Sequence, residues 1–406
     1  MMAEKLHLPG PIVIAAGGTG GHLFPGQALA QELSRRGHEV VLLTDERAQR
    51  FEHWFPRADI YAVPAATIAG PGLAGVLSSL WKIFSGTAQS YSIYGRIKPS
   101  VVIGFGGYPT LPPVLAAAAR RIPTCVHEQN AVLGRVNRLA VRFVDALAST
   151  FEAPKYLRAK DAHKVEVTGN PVRDAAMDQA GALYKAPRAD EPFHLLVTGG
   201  SQGARVMSDV VPAALAALPE TLRARLKLVQ QAREEDLSRV KETYEKAGIE
   251  AELSSFFDDM PARIAKAHLV IGRAGASTVS ELAVIGRPSL LVPLPHSIDQ
   301  DQKANAELLS SSGAGWMMEQ EVFTPEALAA RLTELMNNPD VLTSAAAAAL
   351  KQGRPDAVTR LADLVERLAL GKTERLGTRG AAKALPGGRD GGKNALKRIS
   401  VKEYAR

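Results

Sequence analysis

The sequence predicts an α/β protein with two similar, doubly wound domains, each built on a parallel sheet. Apolar strand segments alternate with helical patterns, and the series of strands starts twice along the chain. Each series opens on a strand followed by glycines, at 17–21 and at 199–203. A chain of 406 residues also exceeds what one core usually holds. Both glycine turns should face one cleft, because ligands of such sheets bind beyond the carboxyl ends of the strands.

Ten short apolar runs are the predicted strands, five in each half of the chain. The first five are 12–16, 40–43, 101–104, 124–127 and 146–149, and the second five are 195–198, 226–229, 251–256, 269–272 and 289–293. A helical pattern from Gln27 to Arg36 follows the first glycine turn. The polar segment 178–192 predicts a linker or surface loop, and a helical run to Leu370 closes the folded part.

Composition places the chain among globular proteins and excludes several other classes. Hydrophobic residues make up 46% and charged residues 22% of the sequence. No apolar run reaches the 18 or so residues that span a bilayer. No secretory signal pattern is found near the start, so we expect the protein to remain in the cytoplasm. The single cysteine, Cys125, excludes an internal disulfide and a cysteine-based zinc site, and we expect it to be a small buried hydrophobe.

The net charge of +7 is concentrated at the carboxyl terminus. Residues 371–406 contain ten Lys or Arg, three Asp or Glu and seven glycines, whereas the other 370 residues carry 39 charges of each sign. This composition predicts a disordered basic tail. Such a tail could contact an anionic membrane surface or nucleic acid, or be a solvated extension.

The first glycine turn combines a phosphate-type loop with a histidine. Its sequence, GGTGGH, ends at His22 and matches neither the P-loop pattern nor the dinucleotide fingerprint. Four more polar turns follow predicted strands, and they are 104–109, 127–130, 272–281 and 299–306. Glycine lets backbone amides approach a phosphate closely. Several such turns on one edge predict a site for a nucleotide-type ligand.

The residue types in these turns suggest particular roles. Glu281 could accept from two ribose hydroxyls or merely complement a helix dipole. Ser201 and the amides of 199–203 could hold a diphosphate, with Arg173 as the neutralising cation. No Asp-x-Asp pair stands on a strand end, so we expect no divalent metal, and we expect no cofactor. His22 and Glu128 are the candidate acid–base groups. Three neutral amides suit sugar hydroxyls, and they are Gln300, Gln302 and Asn305.

Seven motifs together resemble one family. In chain order they are GGTGGH with Pro25, GFGGYP (104–109), HEQN (127–130), GNPVR (169–173), GGSQGA (199–204), GRAGASTVSE (272–281) and DQKANA (301–306). The chain is thereby similar to the MurG family from about Val13 to Leu370. That family transfers N-acetylglucosamine from its UDP conjugate to lipid I, forming lipid II for peptidoglycan. The resemblance implies the glycosyltransferase B fold, with UDP-N-acetylglucosamine and lipid I as ligands and other cell-wall synthesis proteins as partners.

The resemblance also implies a domain division and site residues. Residues 1–169 would bind the acceptor and the membrane, and residues 170–349 would bind the donor. Residues 350–370 would form a helix that crosses back to the first domain, and residues 371–406 would be the basic tail. The implied donor contacts are Thr19, Gly20, Gly21, Asn130, Arg173, Ser201, the backbone of Phe257, Ala276, Ser277, Thr278, Val279, Ser280, Glu281 and Gln302. Gln302 is preferred over Gln300 from its spacing to Asn305. The family inverts at the anomeric carbon, and the sequence leaves open whether His22 or Glu128 is the general base, or whether His22 serves the leaving group.

A lipid-linked acceptor implies a peripheral enzyme on the cytoplasmic side of the inner membrane. A predicted helix from Leu73 to Tyr94 carries an apolar stripe of Leu73, Leu77, Leu80, Trp81 and Phe84, with Lys82 and Arg96 nearby. Such a stripe is typical of an interfacial patch or of ordinary core. A second cationic set at helical spacing, Arg135, Arg138 and Arg142, could face lipid headgroups.

Three other functions share part of this pattern. A UDP-N-acetylglucosamine 2-epimerase has the same fold and donor, but the GGTGGH and HEQN pair argues against it. A nucleic-acid-binding protein would draw only on the tail, and we expect no nucleic-acid partner. A nicotinamide dehydrogenase lacks its fingerprint here.

Overall fold

Two parallel sheets organise the chain. The computed structural model describes residues 8–17, 20–45, 55, 57–66, 73–200, 203–295, 297 and 299–381, with backbone alone at 73–74 and 372–381. The first sheet contains β1 (Ile12–Ala15), β2 (Val40–Thr44), β3 (Ala58–Ala62), β4 (Val101–Gly104), β5 (Thr124–Glu128), β6 (Ala146–Ser149) and β7 (Val165–Val167). The second contains β8 (Phe193–Thr198), β9 (Leu226–Gln231), β10 (Ala251–Ser254), β11 (Leu269–Gly272), β12 (Ser289–Leu291) and β13 (Gly315–Met317).

The strand orders are those of doubly wound sheets. The first sheet has the order β3-β2-β1-β4-β5-β6-β7 and the second β10-β9-β8-β11-β12-β13. Ile12 pairs with both Val40 and Val101, so the order reverses on either side of β1. Leu195 of β8 likewise pairs with both Leu228 and Leu269. Each reversal opens a crevice at the carboxyl edge of its sheet. The predicted fold class is confirmed.

All ten predicted strands are present, and three further strands were not predicted. The unpredicted ones, β3, β7 and β13, all lie at sheet edges. β3 is partly exposed and carries Asp59, and β7 is only three residues long with Glu166 at its centre. An edge strand is covered on fewer sides than a central one, so its sequence is shorter and less apolar. Three predicted strands are shorter than expected, because β1 ends at Ala15, β10 at Ser254 and β12 at Leu291.

Helices connect the strands and cover the sheets. They are α1 (Gly20–Arg35), α2 (Leu73–Ile97), α3 (Leu111–Ala119), α4 (Arg135–Ala140), α5 (Asp174–Met177), α6 (Arg205–Ala216), α7 (Glu220–Arg223), α8 (Glu234–Lys246), α9 (Met260–Lys266), α10 (Ala276–Ile285), α11 (Asp301–Ser311), α12 (Pro325–Met336), α13 (Pro339–Gln352) and α14 (Ala357–Ala381). α1 begins at Gly20, earlier than the predicted Gln27, and so includes the last glycines and His22. Pro25 lies in the second turn of α1, where it cannot donate the hydrogen bond to the carbonyl four residues earlier.

The last helix, α14, returns to the first domain. Leu361, Leu364 and Val365 are buried in the same core as Ile12 and Ile14. At the surface, the Arg36 guanidinium lies 2.7 Å from Asp363 and 2.8 Å from Glu366. α14 continues to Ala381 and so enters the segment predicted as tail, whereas 382–406 lies outside the described residues.

Candidate active site in the cleft between the domains

A cavity of about 310 Å³ lies between the two domains at the carboxyl edges of both sheets. The first domain lines it with residues that follow β1, β4 and β5, and the second with residues that follow β12. The principal lining residues are His22, Gly106, Gly107, Tyr108, Glu128, Asn130, Arg135, Asn137, Asp299 and Asp301. The structure therefore brings together His22 and Glu128, the two candidate acid–base groups.

The His22 imidazole packs against the turn after β4. Gly106 and Gly107 have φ angles of 82° and 73°, in the left-handed region that favours glycine. A Cβ on Gly107 would lie 3.1 Å from Cδ2 of His22, so a side chain there would press on the ring. Burial lowers the pKa of His22 below its ordinary value, although Gln129, the Phe105 carbonyl and Asp301 favour the charged ring. The imidazole is thus neutral at neutral pH.

The Glu128 carboxylate, at the end of β5, organises the loop that follows it. Its Oε1 accepts from the backbone N–H and the side-chain amide of Asn130, at 3.1 and 3.2 Å. Its Oε2 accepts from the Gly134 N–H at 2.8 Å and from Nδ2 of Asn137 at 2.9 Å. A carboxylate offers about four lone-pair sites, so these four donors use its capacity. Burial raises the pKa of Glu128, and the four donors oppose that shift.

Asn305 connects this loop to the second domain. Its Oδ1 accepts from the Ala131 N–H at 3.0 Å, and its Nδ2 donates to Oδ1 of Asn130 at 3.0 Å and to the Ala274 carbonyl at 3.1 Å. The residue is 1% exposed. Both N–H groups of the amide and one lone pair of its oxygen are thus used within the protein, and its expected role as a sugar-hydroxyl contact stays a prediction.

A second, smaller cavity of about 80 Å³ lies at the predicted donor side. Its lining includes Phe24, Arg173, Thr198, Gly200, Gln231, Phe257, Ser277, Thr278 and Glu281. The amino terminus of α10 opens here, where Gly275 is the N-cap and supplies no side-chain hydrogen bond. The Ser277 hydroxyl is buried and has no hydrogen-bond partner among the described residues. Unpaired helix N–H groups and a hydroxyl make this end suited to an anionic or polar ligand.

Arg173 and Glu281 form an ion pair within this cavity. The guanidinium donates two hydrogen bonds to Oε1 of Glu281, at 2.8 and 2.9 Å. The same guanidinium stacks 4.3 Å from the centre of the Phe24 ring in α1. Glu281 is 4% exposed, and burial raises its pKa against the effect of Arg173. The sequence predicted separate contacts to phosphate and ribose, whereas the structure pairs the two side chains with each other.

The remaining predicted donor residues are distributed around these cavities. Gly20 and Gly21 begin α1 beside His22, and Phe257 is buried with the Arg263 guanidinium 4.1 Å from its ring centre. Val279 and Ser280 line a different small cavity, and the Ser280 hydroxyl accepts from Asn170 at 3.0 Å. Ala276 is the first residue of α10. Thr19 and Ser201 lie outside the described residues.

The two candidate glutamines differ in position. Gln302 lies in the first turn of α11, where its Oε1 accepts from the Leu294 N–H at 3.1 Å. Gln300 precedes α11 with a left-handed φ of 52°. Gln302 therefore holds the loop after β12, and the preference for it over Gln300 as a sugar contact remains a prediction.

Sequence analysis missed Gln231, which supports the second glycine turn. Its Oε1 accepts from the Thr198 hydroxyl at 2.8 Å, and its Nε2 donates to the carbonyls of Gly200 and Ser255, at 3.2 and 3.1 Å. The sequence feature that could have identified Gln231 is its position at the carboxyl end of β9, which pairs with β8, the strand that leads into the second glycine turn.

Outside the cleft, α2 exposes an apolar surface. Leu77, Leu80, Trp81 and Phe84 are 49–68% exposed, and the rings of Trp81 and Phe84 lie 5.8 Å apart. We call these four residues the α2 patch. Lys82 is exposed beside them. Arg96 lies 15 residues after Trp81, which is roughly 22 Å along the helix axis at 1.5 Å per residue. The carboxyl end of α2 leads into the start of β4, so α2 runs antiparallel to that strand. The α2 patch is in the first half of the helix and therefore lies toward the carboxyl edge of the sheet, where the cavity is.

The second predicted cationic set does not act as one surface. Arg138 donates to Asp299 of the second domain at 2.7 Å and stacks 4.1 Å from the centre of the Tyr156 ring. Arg135 lines the cavity, and Arg142 is exposed beyond the end of α4. In this structure a carboxylate across the cleft holds Arg138, and the expectation that it faces headgroups stays a prediction. No helix within the described ranges has the length and apolarity to cross a membrane.

Metal ligands were sought separately. The described part of the chain contains no cluster of three or more His, Cys, Asp or Glu side chains suited to a metal ion.

Comparison with known proteins identifies the family. The glycosyltransferase family 28 N-terminal domain matches residues 12–149, and the family 28 C-terminal domain matches 194–361. A Mesorhizobium japonicum protein named UDP-N-acetylglucosamine–N-acetylmuramyl-(pentapeptide) pyrophosphoryl-undecaprenol N-acetylglucosamine transferase is 52% identical over 364 residues, 90% of this chain and 96% of that protein. The identically named Brucella anthropi protein is 50% identical over the same shares.

Solved structures agree with this assignment. The crystal structure of Acinetobacter baumannii MurG is 30% identical, with a TM-score of 0.72 over 88% of this chain and all of that one. A UDP-N-acetylglucosamine 2-epimerase structure from Listeria monocytogenes covers 86% of this chain and 94% of its own, with a TM-score of 0.62, but at 16% identity it shares the fold alone. The chain belongs to glycosyltransferase family 28 and, within it, to the MurG family.

Proposed function

We propose that this glycosyltransferase moves N-acetylglucosamine from UDP-N-acetylglucosamine to the 4-hydroxyl of the muramyl sugar of lipid I, forming lipid II in peptidoglycan synthesis. The observation that carries the proposal is the neutral His22 imidazole on the wall of a cavity that both domains line. The donor cavity at α10 lies beside it and shares α1 through Phe24. One histidine thus stands between an acceptor space and a donor space.

His22 is the general base in this proposal. The 4-hydroxyl oxygen attacks the anomeric carbon of N-acetylglucosamine, its proton passes to the imidazole, and the bond to the UDP oxygen breaks with inversion. A neutral ring is the form that accepts a proton, and burial favours that form. The charge that develops on UDP is stabilised by the amino terminus of α10 and by backbone amides of the glycine turns.

Glu128 is a positioning residue in this proposal. Its two carboxylate oxygens already accept four hydrogen bonds, so neither is available to take the acceptor proton. The carboxylate instead fixes Asn130 and Asn137 in the cavity wall. Asn130 is in turn bonded to Asn305, which relates the acceptor side to the donor domain.

The donor cavity is assigned by its polar groups. Ser277 and Thr278 at the start of α10 contact the diphosphate, and Glu281 and Arg173 are placed to contact ribose and phosphate. The ion pair between them neutralises two buried charges until a diphosphate competes for the guanidinium.

The transfer assay tests the proposed function directly. Radiolabelled UDP-N-acetylglucosamine is incubated with the full chain and a lipid I analogue, in the presence of EDTA. Label in the lipid product is the expected result, and label in the product despite the chelator shows that transfer needs no divalent metal. Conversion of the sugar nucleotide to its manno epimer without transfer would contradict the proposal.

The membrane contact is a separate part of the proposal. We propose that the enzyme contacts the cytoplasmic face of the inner membrane through the α2 patch, and four exposed apolar side chains beside Lys82 support this contact. Vesicles of anionic phospholipid should retain the protein, and the W81S/F84S double variant should lose most of this binding. Leu183→Ser, at a residue 92% exposed outside α2, is the matched control and should bind normally. Equal binding of both variants would contradict the α2 patch as the contact.

A further inference from the structure

An ion cluster crosses the cleft beside the cavity. Oδ1 of Asp299, in the second domain, lies 2.7 Å from the Arg138 guanidinium of the first domain. Oδ2 of the same carboxylate lies 3.8 Å from Nε of Arg135. Arg135 and Asp299 both line the cavity that contains His22. One carboxylate therefore lies between two guanidinium groups at the wall of the acceptor space.

Arg138 is held in place by its own domain. Its Nε donates to the Leu133 carbonyl at 2.6 Å, and its guanidinium stacks on the Tyr156 ring at 4.1 Å. Neither contact involves Asp299. The guanidinium would therefore keep its position if the carboxylate withdrew, and its remaining N–H groups would then face an anion.

The charges of this cluster do not balance. Two guanidinium groups face one carboxylate. Within the described residues, the acidic side chain that lies within 4.0 Å of Arg135 or Arg138 is Asp299. A diphosphate diester carries two ionised oxygens and accepts hydrogen bonds from guanidinium groups in the bidentate geometry that Arg favours. It matches the two arginines better than one carboxylate does.

We propose that Arg135 and Arg138 form the subsite for the diphosphate of the acceptor, and that Asp299 occupies this subsite when no acceptor is bound. The inference rests on the proposed function, since it takes a diphosphate-linked sugar as the acceptor. The 4-hydroxyl and the anomeric phosphate lie at opposite ends of that sugar ring. An acceptor with its hydroxyl at His22 consequently places its diphosphate elsewhere in the same cavity, where Arg135 is found.

Asp299 belongs to the loop between β12 and α11. Asp299 is three residues before Gln302, whose side chain holds the Leu294 N–H at 3.1 Å. The exchange of carboxylate for diphosphate therefore acts on the loop between β12 and α11. Acceptor binding would free this loop from the first domain.

Steady-state kinetics of the full chain with a water-soluble, short-chain lipid I analogue test the inference. The proposal predicts that two variants change the acceptor KM in opposite directions. Arg138→Gln should raise the acceptor KM about tenfold, because the subsite loses a guanidinium. Asp299→Asn should lower the acceptor KM about threefold, because the competing carboxylate is gone. In the double variant the acceptor KM should equal that of R138Q. The donor KM should change less than twofold in each variant.

A purely structural ion pair gives a different pattern. R138Q and D299N both break the same contact, so a pair that only joins the domains would shift the acceptor KM in the same direction, and that result overturns the proposal. Lys155→Gln is the matched control. It removes another cross-domain pair, in which Lys155 Nζ lies 3.7 Å from Glu307, and neither residue lines the cavity. K155Q should behave as the unmodified chain.

Two further arms distinguish the source of the anion. Inorganic pyrophosphate should compete with the acceptor in the unmodified chain, more strongly in D299N and least in R138Q. Binding to anionic phospholipid vesicles should be equal in all three proteins. Vesicle binding lost in R138Q with an unchanged acceptor KM would assign the arginines to headgroups and overturn the proposal. If the unmodified chain transfers no sugar, the proposed function itself fails, whereas active protein with same-sign shifts fails only the subsite.

Discussion

The Glu128 loop and the start of α10, on opposite walls of the cleft, differ in how completely their polar groups are paired. On the first-domain wall, the Glu128 carboxylate accepts four hydrogen bonds, and the His22 ring is fixed against Gly106 and Gly107. On the second-domain wall, α10 begins without a side-chain cap, and the Ser277 hydroxyl is buried without a partner in the part of the chain that the structure describes. The Glu128 loop is held by internal bonds, whereas the start of α10 presents donors. On the first wall, Nδ1 of His22 and Oδ1 of Asn137 are also buried without a partner among the described residues.

This difference indicates which wall supports the base and which wall binds the donor diphosphate. A base must hold one geometry and one protonation state, and for His22 these come from packing against Gly106 and Gly107 and from burial, which lowers its pKa. A site for a diphosphate needs N–H and O–H groups that have no competing acceptor, because each internal bond would have to be broken on binding. Variants of the first wall should therefore change kcat, and variants of the second should change the donor KM.

The largest expected effect is the loss of the base. His22→Ala should reduce kcat by about 10²- to 10⁴-fold, the usual range for a general base, with a melting temperature close to that of the unmodified chain. Turnover is measured with saturating donor and acceptor. His163→Ala, at an exposed histidine, is the control and should leave kcat unchanged. Equal kcat values for both variants would remove His22 from the mechanism.

The second effect separates positioning from proton transfer. Glu128→Gln places an amide N–H against N–H donors, so we expect kcat to fall about 10- to 100-fold and the free energy of unfolding to fall by about 2 kcal/mol. The decisive measurement is the pH profile, whose acid limb should stay in place in E128Q because His22 still sets it. An acid limb that disappears in E128Q would make Glu128 the base. Glu152→Gln, at an exposed site, is the control.

The third effect is the pH dependence of the unmodified chain. Burial lowers the pKa of His22 below 6.5, so the active neutral ring persists as the pH falls through that value. We expect kcat/KM to stay level at pH 6.5 and to fall about tenfold per pH unit below the lowered pKa. A decline that begins above pH 6.5 would show that the ring is not shielded as the structure indicates.

The smallest effect concerns the donor wall. Ser277→Ala should raise the donor KM about fivefold, equivalent to about 1 kcal/mol, and leave the acceptor KM and the melting temperature unchanged. The melting temperature is informative because the hydroxyl makes no hydrogen bond to the described residues that could be lost. Ser311→Ala, at an exposed serine of α11, is the control. A fall in stability without a change in the donor KM would contradict a ligand-facing role.

Much of the fold and part of the site were predictable from local pattern. Strand and helix periods and the glycine turns are properties of short segments, so the central strands were located with small errors at their ends. The edge strands β3, β7 and β13 were missed because an edge position depends on what the rest of the chain leaves uncovered. His22 and Glu128 were found because each belongs to a polar segment at the carboxyl end of a predicted strand, but the difference in their hydrogen bonding was not predicted.

The sequence alone determined the class of the fold, the family and the set of polar turns at the cleft, since these are encoded in short segments and in their order. Only the tertiary structure decided which of those groups pair with one another. Arg138 and Asp299 are 161 residues apart, and Arg173 and Glu281 are 108 apart, yet both pairs are in contact. A hydrogen bond requires a separation near 3 Å, and no local pattern fixes such a distance between distant segments. The roles of the arginines and of Glu128 therefore emerged from packing between the domains and within the loop after β5.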